Sequence, residues 1–330
     1  MDRRKFISLS VAITGSTALI SACKNKKKIR GSIVGTSSEV GHKLRNGNFD
    51  EPVRISKHQV VIIGAGISGL TAAYYLKKNG ISDFVLLDLE KVPGGNSRHD
   101  ENQVSSYPWG AHYIPIANND LTEYIDFLKE CNAITGFDEN GQPVYNEEFL
   151  CFDPEERLYI NGKWQDGIIP QFGVPDDDKK QIERFLQLVD TYRLKKGKDG
   201  KDAFAIPVDK SSKDPEFTIL DSITMEQWMQ KQGFISDYLH WYVNYCTRDD
   251  FGTRHKDISA WMGIHYFASR KGSAANASYH NILTWPEGNG FLVKELNRNT
   301  GNAFKSGCLA VAVSEADGMV RVTYLDTNDN

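Results

Sequence analysis

The 330 residues include only five cysteines, and no two of them form a C-x-x-C pair. Cys23, Cys131, Cys151, Cys246 and Cys308 lie far apart, which indicates neither a metal site nor a dithiol redox motif. Four of them read as small buried hydrophobes, although a disulfide is permitted outside the cytoplasm. Neither sign of charge dominates: 39 Lys and Arg face 43 Asp and Glu, and a formal net charge of −4 gives no footprint for nucleic acid. Long apolar runs are scarce as well. The N-terminal segment from Ile7 to Ile20 is interrupted by Ser and Thr and is too short to span a bilayer comfortably. What is present is 40% hydrophobic residues, enough for the core of one large or two ordinary domains.

The most informative stretch runs from Gln59 to Gly95. A β-branched run, Gln59 to Ile63, ends at Gly64-Ala65-Gly66-Ile67-Ser68-Gly69, and a helical pattern follows to Gly80. Each glycine has its own task. Gly64 allows the tight turn, Gly66 lets a pyrophosphate approach the backbone, and Gly69 lets helix and strand lie close. The pyrophosphate then sits on the free N–H groups of the helix N-terminus. A second strand, Phe84 to Leu87, ends in Asp88, an acid placed to accept hydrogen bonds from ribose hydroxyls. The fingerprint alone leaves FAD and NAD both open.

The following segment, Leu87-Asp88-Leu89-Glu90-Lys91-Val92-Pro93-Gly94-Gly95-Asn96-Ser97, resembles the flavin-containing amine oxidases and related FAD-dependent oxidoreductases. The resemblance implies that Asp88 holds the adenosine ribose and that the Gly94-Gly95 turn, with Leu89 and Asn96 beside it, passes close to the dinucleotide. NAD dehydrogenases lack this doublet. Tyr107-Pro108-Trp109-Gly110-Ala111-His112-Tyr113 matches a family segment near the isoalloxazine, so Gly110, Ala111 and His112 become candidate cofactor residues. His112 is also the candidate catalytic side chain, with a packed, hydrogen-bonded histidine as the alternative. Trp285 to Val293 resembles the family segment that opens a helix before a second FAD-contacting strand, Cys308 to Val313. There Ala310 matches the residue whose backbone binds the adenine edge.

The N-terminus reads as a separate element. Asp2-Arg3-Arg4-Lys5-Phe6-Ile7 resembles a twin-arginine signal, and Ile20-Ser21-Ala22-Cys23 resembles a lipoprotein cleavage box. The expectation is a signal peptide at 1–22 and a lipid on Cys23, with an uncleaved N-terminal helix as the alternative. The folded protein would pass through the twin-arginine machinery and face the periplasm on a bacterial membrane. Export argues against NAD, which is not expected free there. Residues 23–57 read as a tether, with Lys24, Lys26, Lys27, Lys28 and Arg30 near the headgroups.

Between the two cofactor segments the pattern is mixed. Leu121 to Cys131 reads as an amphipathic helix, and 144–165 as a β-hairpin or small sheet with Asn161-Gly162 as a turn. A helix is predicted over Asp177 to Lys195, and the charged stretch Lys195 to Asp214 reads as a solvated loop or hairpin. Thr224 with Gln227 marks a capping box, and Ser236 starts an aromatic helix. At Thr247 to Gly252, Arg248 is expected to pair with Asp249 or a carboxylate ligand, and Asp249-Asp250 offers an acid/base alternative. Ile258 to Arg270 reads as a further helix.

The expected fold is therefore α/β, a Rossmann-type FAD-binding domain formed by 58–115 and 285–330 around an inserted α+β substrate domain at 116–284. The resemblance covers Val60 to Leu325, and relatives continue with a long C-terminal portion, so a partner chain supplying it is one expectation. The implied function is FAD-dependent oxidation of a small organic substrate by hydride transfer. The alternatives are a noncatalytic or fragmentary nucleotide-binding lipoprotein and a carotenoid-type desaturase or isomerase.

Overall fold

Val60–Ile63 (β1) consists wholly of β-branched residues and lies parallel to Phe84–Leu87 (β2), with Val60 opposite Phe84 and Ile63 opposite Leu87. Parallel neighbours need a crossover, and the helix Ile67–Lys78 (α1) supplies it. Phe304–Lys305 joins the other side of β2, also in parallel, so β2 is central. All four of its residues are buried, as expected for a strand covered on both faces. The computed structural model describes residues 31, 33–151, 155–298 and 300–328. The predicted signal segment 1–22, the lipidation candidate Cys23 and the basic residues Lys24 to Arg30 lie outside the described residues. No described helix is long and apolar enough to cross a membrane.

The chain divides into two compact units, Met1–Asn48 and Phe49–Asn330. The described part of the first holds two short helical turns, Ser38–Gly41 and Lys43–Asn46. In the second unit, one core gathers Leu70, Ala73 and Tyr74 of α1 with Leu86 of β2, Ile114 of Tyr113–Pro115 (β3) and Leu128 of Thr122–Glu130 (α2). Leu283 of Ile282–Thr284 (β4), paired antiparallel with β3, and Leu292, Val293 and Leu296 of the helix Gly290–Asn297 complete it. Each fully buried aliphatic side chain contributes about 1.5–3 kcal/mol.

A second core is helical. Asp176–Leu194 (α3) begins with three aspartates, which favour the positive end of the helix dipole. Met225–Lys231 (α4) carries the complete Thr224/Gln227 capping box, and Ser236 caps Asp237–Phe251 (α5). Ala260–Ala268 (α6) follows. Phe185 lies edge-on to Phe234 and Phe267, with centroids 5.7 and 5.1 Å away, an arrangement that suits the ring quadrupoles.

Three expectations need correction. The stretch Lys195 to Asp214 is not simply a solvated loop: Ala203 and Phe204 are fully buried in the helical core, and Ser211, Ser212 and Asp214 are buried too. The 144–165 region is not one hairpin. Arg157–Ile160 and Lys163–Asp166 do pair across Asn161-Gly162, both with positive φ, but Leu150 bridges Leu283 and Cys151 N–H donates to the Ile282 carbonyl. That segment therefore extends the β3–β4 pair. At the end of α5, it is Arg270 that pairs with a carboxylate, Asp250, at 3.5 Å. Arg248 and Asp249 are successive residues on the exposed last turn, so their side chains diverge.

The described cysteines, Cys131, Cys151, Cys246 and Cys308, are all free thiols. Burial pushes the Cys131 and Cys246 thiols up to about 12, so neither is a ready nucleophile.

Candidate cofactor groove

The end of β1 and the start of α1 form a glycine turn with an unfilled donor set. Gly64 has φ +94°, a conformation that strains L side chains. Gly66 is the helix N-cap and offers no side chain, and Leu70 N–H is the first to bond within the helix, to the Gly66 carbonyl. Ile67, Ser68 and Gly69 therefore have no intrahelical partner for their N–H groups. A Cβ on Gly69 would clash with the Gly64 carbonyl, whereas one on Gly66 would meet nothing within 4 Å. Gly69 thus serves packing, and Gly66 borders open space.

That space is a groove of about 350 Å³ lined by Gly64, Gly66, Ile67, Ser68, Gly69, Gly94 and Asn96 among others. Gly94 of the second glycine pair also lines it, and that pair packs directly against the first turn. Gly94 N–H donates to the Ala65 carbonyl at 2.7 Å, and a Cβ on Gly95 would come within 3.4 Å of Gly66 Cα. Both doublet residues have positive φ, 128° and 55°. The two glycine turns thus interlock, leaving backbone donors at the helix end with Ile63 and Ile67 bordering the groove.

Asp88 is tied to this turn. Its Oδ2 accepts Ala65 N–H at 2.6 Å and its Oδ1 accepts Glu90 N–H at 2.7 Å. Each oxygen keeps a second lone pair for a ribose hydroxyl. Leu89 lies between these two anchors. Asn96 is held to the next predicted segment: its carbonyl accepts Ala111 N–H at 2.9 Å, and a Cβ on Gly110 would stand 2.8 Å from the same oxygen.

His112 is exposed, and its Nδ1 donates to the Gly110 carbonyl at 3.0 Å. The carbonyl can only accept, so the proton sits on Nδ1 and Nε2 is left as an acceptor. The backbone here is closely packed: the His112 carbonyl accepts from the Thr284 hydroxyl at 2.8 Å, and a Cβ on Gly288 would lie 2.8 Å from His112 Cα. Ala310 lies at an irregularity in the antiparallel pair Cys308–Ala316 and Met319–Asp326, opposite Tyr324. Asp88 links it to the glycine turns, since the Asp88 carbonyl accepts Cys308 N–H at 2.8 Å.

A polar cluster begins one residue beyond His112, and of its members the sequence pointed only to Asp249 and Asp250. The Tyr113 hydroxyl accepts from Arg270, which pairs with Asp250 and lies over the Tyr266 ring at 5.4 Å. Desolvation pushes the Asp250 carboxyl up despite Arg270, and the Asp249 charge adds to the rise. The Glu156 carboxyl is likewise raised by desolvation and then by Glu155 and Asp249. Arg270 thus pairs directly with Asp250 alone, while Asp249 acts on both Asp250 and Glu156 through its charge.

Residues 62–130 match the NAD(P)-binding Rossmann-like domain. Polyamine oxidase 7 of Oryza sativa subsp. japonica is 32% identical over 98 residues, 28% of this chain and 21% of that protein. Among solved structures, putrescine oxidase bound to putrescine aligns with a TM-score of 0.55 at 17% identity, covering 81% of this chain and 54% of the other. Cyclohexylamine oxidase from Brevibacterium oxydans IH-35A gives 0.56 at 14% identity, with 81% and 55% covered. The chain spans about half the length of these solved relatives. The fold is α/β, built on a Rossmann-like dinucleotide-binding domain and shared with the amine oxidases.

Proposed function

We propose that this chain binds FAD and serves a flavin-dependent oxidoreductase that takes hydride from the carbon next to nitrogen in a small amine, turning the C–N bond into C=N once the ammonium has lost a proton. The observation that carries the reading is the uncapped N-terminus of α1, with the Gly94-Gly95 turn packed against it, opening onto a groove. The residues fit the cofactor. Ile67, Ser68 and Gly69 would hold the pyrophosphate with backbone N–H groups, Asp88 would hold the adenosine ribose, and the Ala310 backbone would meet the adenine. Bound FAD supplies the hydride acceptor. His112 offers Nε2 as a proton acceptor, and the net negative cluster of Glu156, Asp249 and Asp250 favours an ammonium group. The names of the aligned relatives, polyamine, putrescine and cyclohexylamine oxidase, agree with that substrate class. The desaturase or isomerase alternative is the weaker reading.

The test is anaerobic mixing of the FAD-loaded protein with putrescine, cyclohexylamine and the corresponding alcohols. Bleaching of the flavin by an amine and not by the alcohols supports the reading. A flavin that dithionite reduces but no amine bleaches overturns it.

We also propose that the chain is exported through the twin-arginine route and anchored by lipid on Cys23. Two adjoining signals support this, Arg3-Arg4 and Ile20-Ser21-Ala22-Cys23. Membrane-fraction protein whose mass starts at a lipidated Cys23 is the expected result; full-length unprocessed protein in the cytoplasm would contradict it.

A further inference from the structure

We propose a divalent transition-metal site at His240, His255 and Glu226, outside the cofactor groove. One ligand atom from each lies within 4.8 Å of the others. His240 belongs to α5, Glu226 to the first turn of α4, and His255 to the loop before α6.

The hydrogen bonds around the two rings determine where their protons are. His240 Nε2 lies 3.0 Å from the Phe234 carbonyl, which can only accept, so that nitrogen carries hydrogen. Asn244 Oδ1 accepts the backbone N–H of His255 at 3.3 Å, which fixes the orientation of its amide. The same oxygen lies 3.1 Å from His255 Nδ1, which therefore carries hydrogen too. The remaining nitrogens, His240 Nδ1 and His255 Nε2, face each other at 3.0 Å with lone pairs on both sides. Glu226 Oε1 lies 3.6 Å from His255 Nε2 and adds a third lone-pair donor. Three acceptors converge, and two neutral rings place no hydrogen between them.

A cation resolves this conflict. Two ligand nitrogens on a tetrahedral zinc, each about 2.0–2.1 Å from the metal, stand about 3.3 Å apart, so the rings need to part by only a few tenths of an ångström. The outer N–H groups already make the bonds to a carbonyl and an amide oxygen that orient metal-ligating imidazoles. Imidazole and carboxylate together suit zinc and its neighbours in the series rather than calcium or magnesium. Glu226 is half-buried and His255 buried, so a fourth position remains for water on the Glu226 side. The ion would tie α4, α5 and the entry to α6 into one unit.

The test is calorimetric titration of the tag-free, chelator-treated full chain with zinc chloride, followed by cobalt chloride and visible absorption. The expected result is one zinc per chain, lost in His240→Ala and His255→Gln, with affinity at least about tenfold weaker in Glu226→Gln. Zinc should also raise the Tm of the wild type and of neither histidine variant. Because a histidine variant that fails to fold would also lose uptake, the partly exposed Glu226→Gln, checked by circular dichroism, serves as the control. Absence of stoichiometric uptake by the folded wild type overturns the site and leaves a shared proton between the rings. Uptake unchanged in both histidine variants, or in Glu226→Gln, equally overturns the assignment.

Discussion

A Cβ placed on Gly69 would stand 1.8 Å from the Gly64 carbonyl oxygen, so this glycine sets how closely α1 can approach the end of β1. Gly69→Ala should therefore destabilise the protein by about 1–3 kcal/mol through overpacking and weaken FAD binding as a consequence. Gly66 makes the opposite case. Its φ of −72° suits any residue and its missing Cβ faces open space, so Gly66→Ala should melt as the wild type does yet bind FAD at least tenfold more weakly. Thermal melts paired with flavin titrations distinguish the two outcomes.

Asp88 joins the candidate cofactor groove to the fold because both carboxylate oxygens accept backbone N–H groups. Asparagine keeps one acceptor and turns a second N–H toward a donor. Asp88→Asn should cost about 1–3 kcal/mol, the penalty of one unsatisfied partner, and should lower FAD affinity as well. Equal stability of the two proteins in urea would contradict this.

The Glu156 carboxylate belongs to the acidic cluster beside Tyr113 and Arg270. Glu156→Gln should raise the amine concentration needed for half-reduction of the flavin by about tenfold, while dithionite reduction stays unchanged. Unchanged amine dependence would remove Glu156 from the substrate side.

His265 gives a pH dependence with a defined sign. Burial holds its imidazole below the ordinary value of 6.5, against the hydrogen bond it donates to the Ala205 carbonyl at 2.8 Å. The folded state thus takes up this proton less readily than the unfolded chain. Its contribution is fully present above pH 6.5 and is lost as pH falls below that value toward the folded pKa. The Tm should drop between about pH 7 and 5, and His265→Gln should flatten that drop.

The geometry of the glycine-lined groove was legible because its logic is local. Strand, glycine turn, helix and Asp88 lie within thirty residues, and each glycine answers a backbone requirement. The Thr224 and Ser236 caps were legible for the same reason. Phe204 was hidden because the charges around it suggested a solvated loop, while its burial depends on α3 and α6 packing over it. Arg270 escaped notice because its partner Asp250 is twenty residues away, whereas Arg248 stood beside an obvious carboxylate. His240 and His255 meet only when the chain turns back after α5, and no cysteine or short histidine spacing marked them.

The most direct test of the cofactor assignment is a titration of purified, folded apoprotein with FAD, followed by flavin fluorescence and visible absorption, in wild type and Gly66→Val side by side. The account predicts saturable one-to-one binding by the wild type, lost in Gly66→Val at an unchanged Tm. A folded wild type that takes up no FAD, or equal uptake by the two proteins, would contradict it.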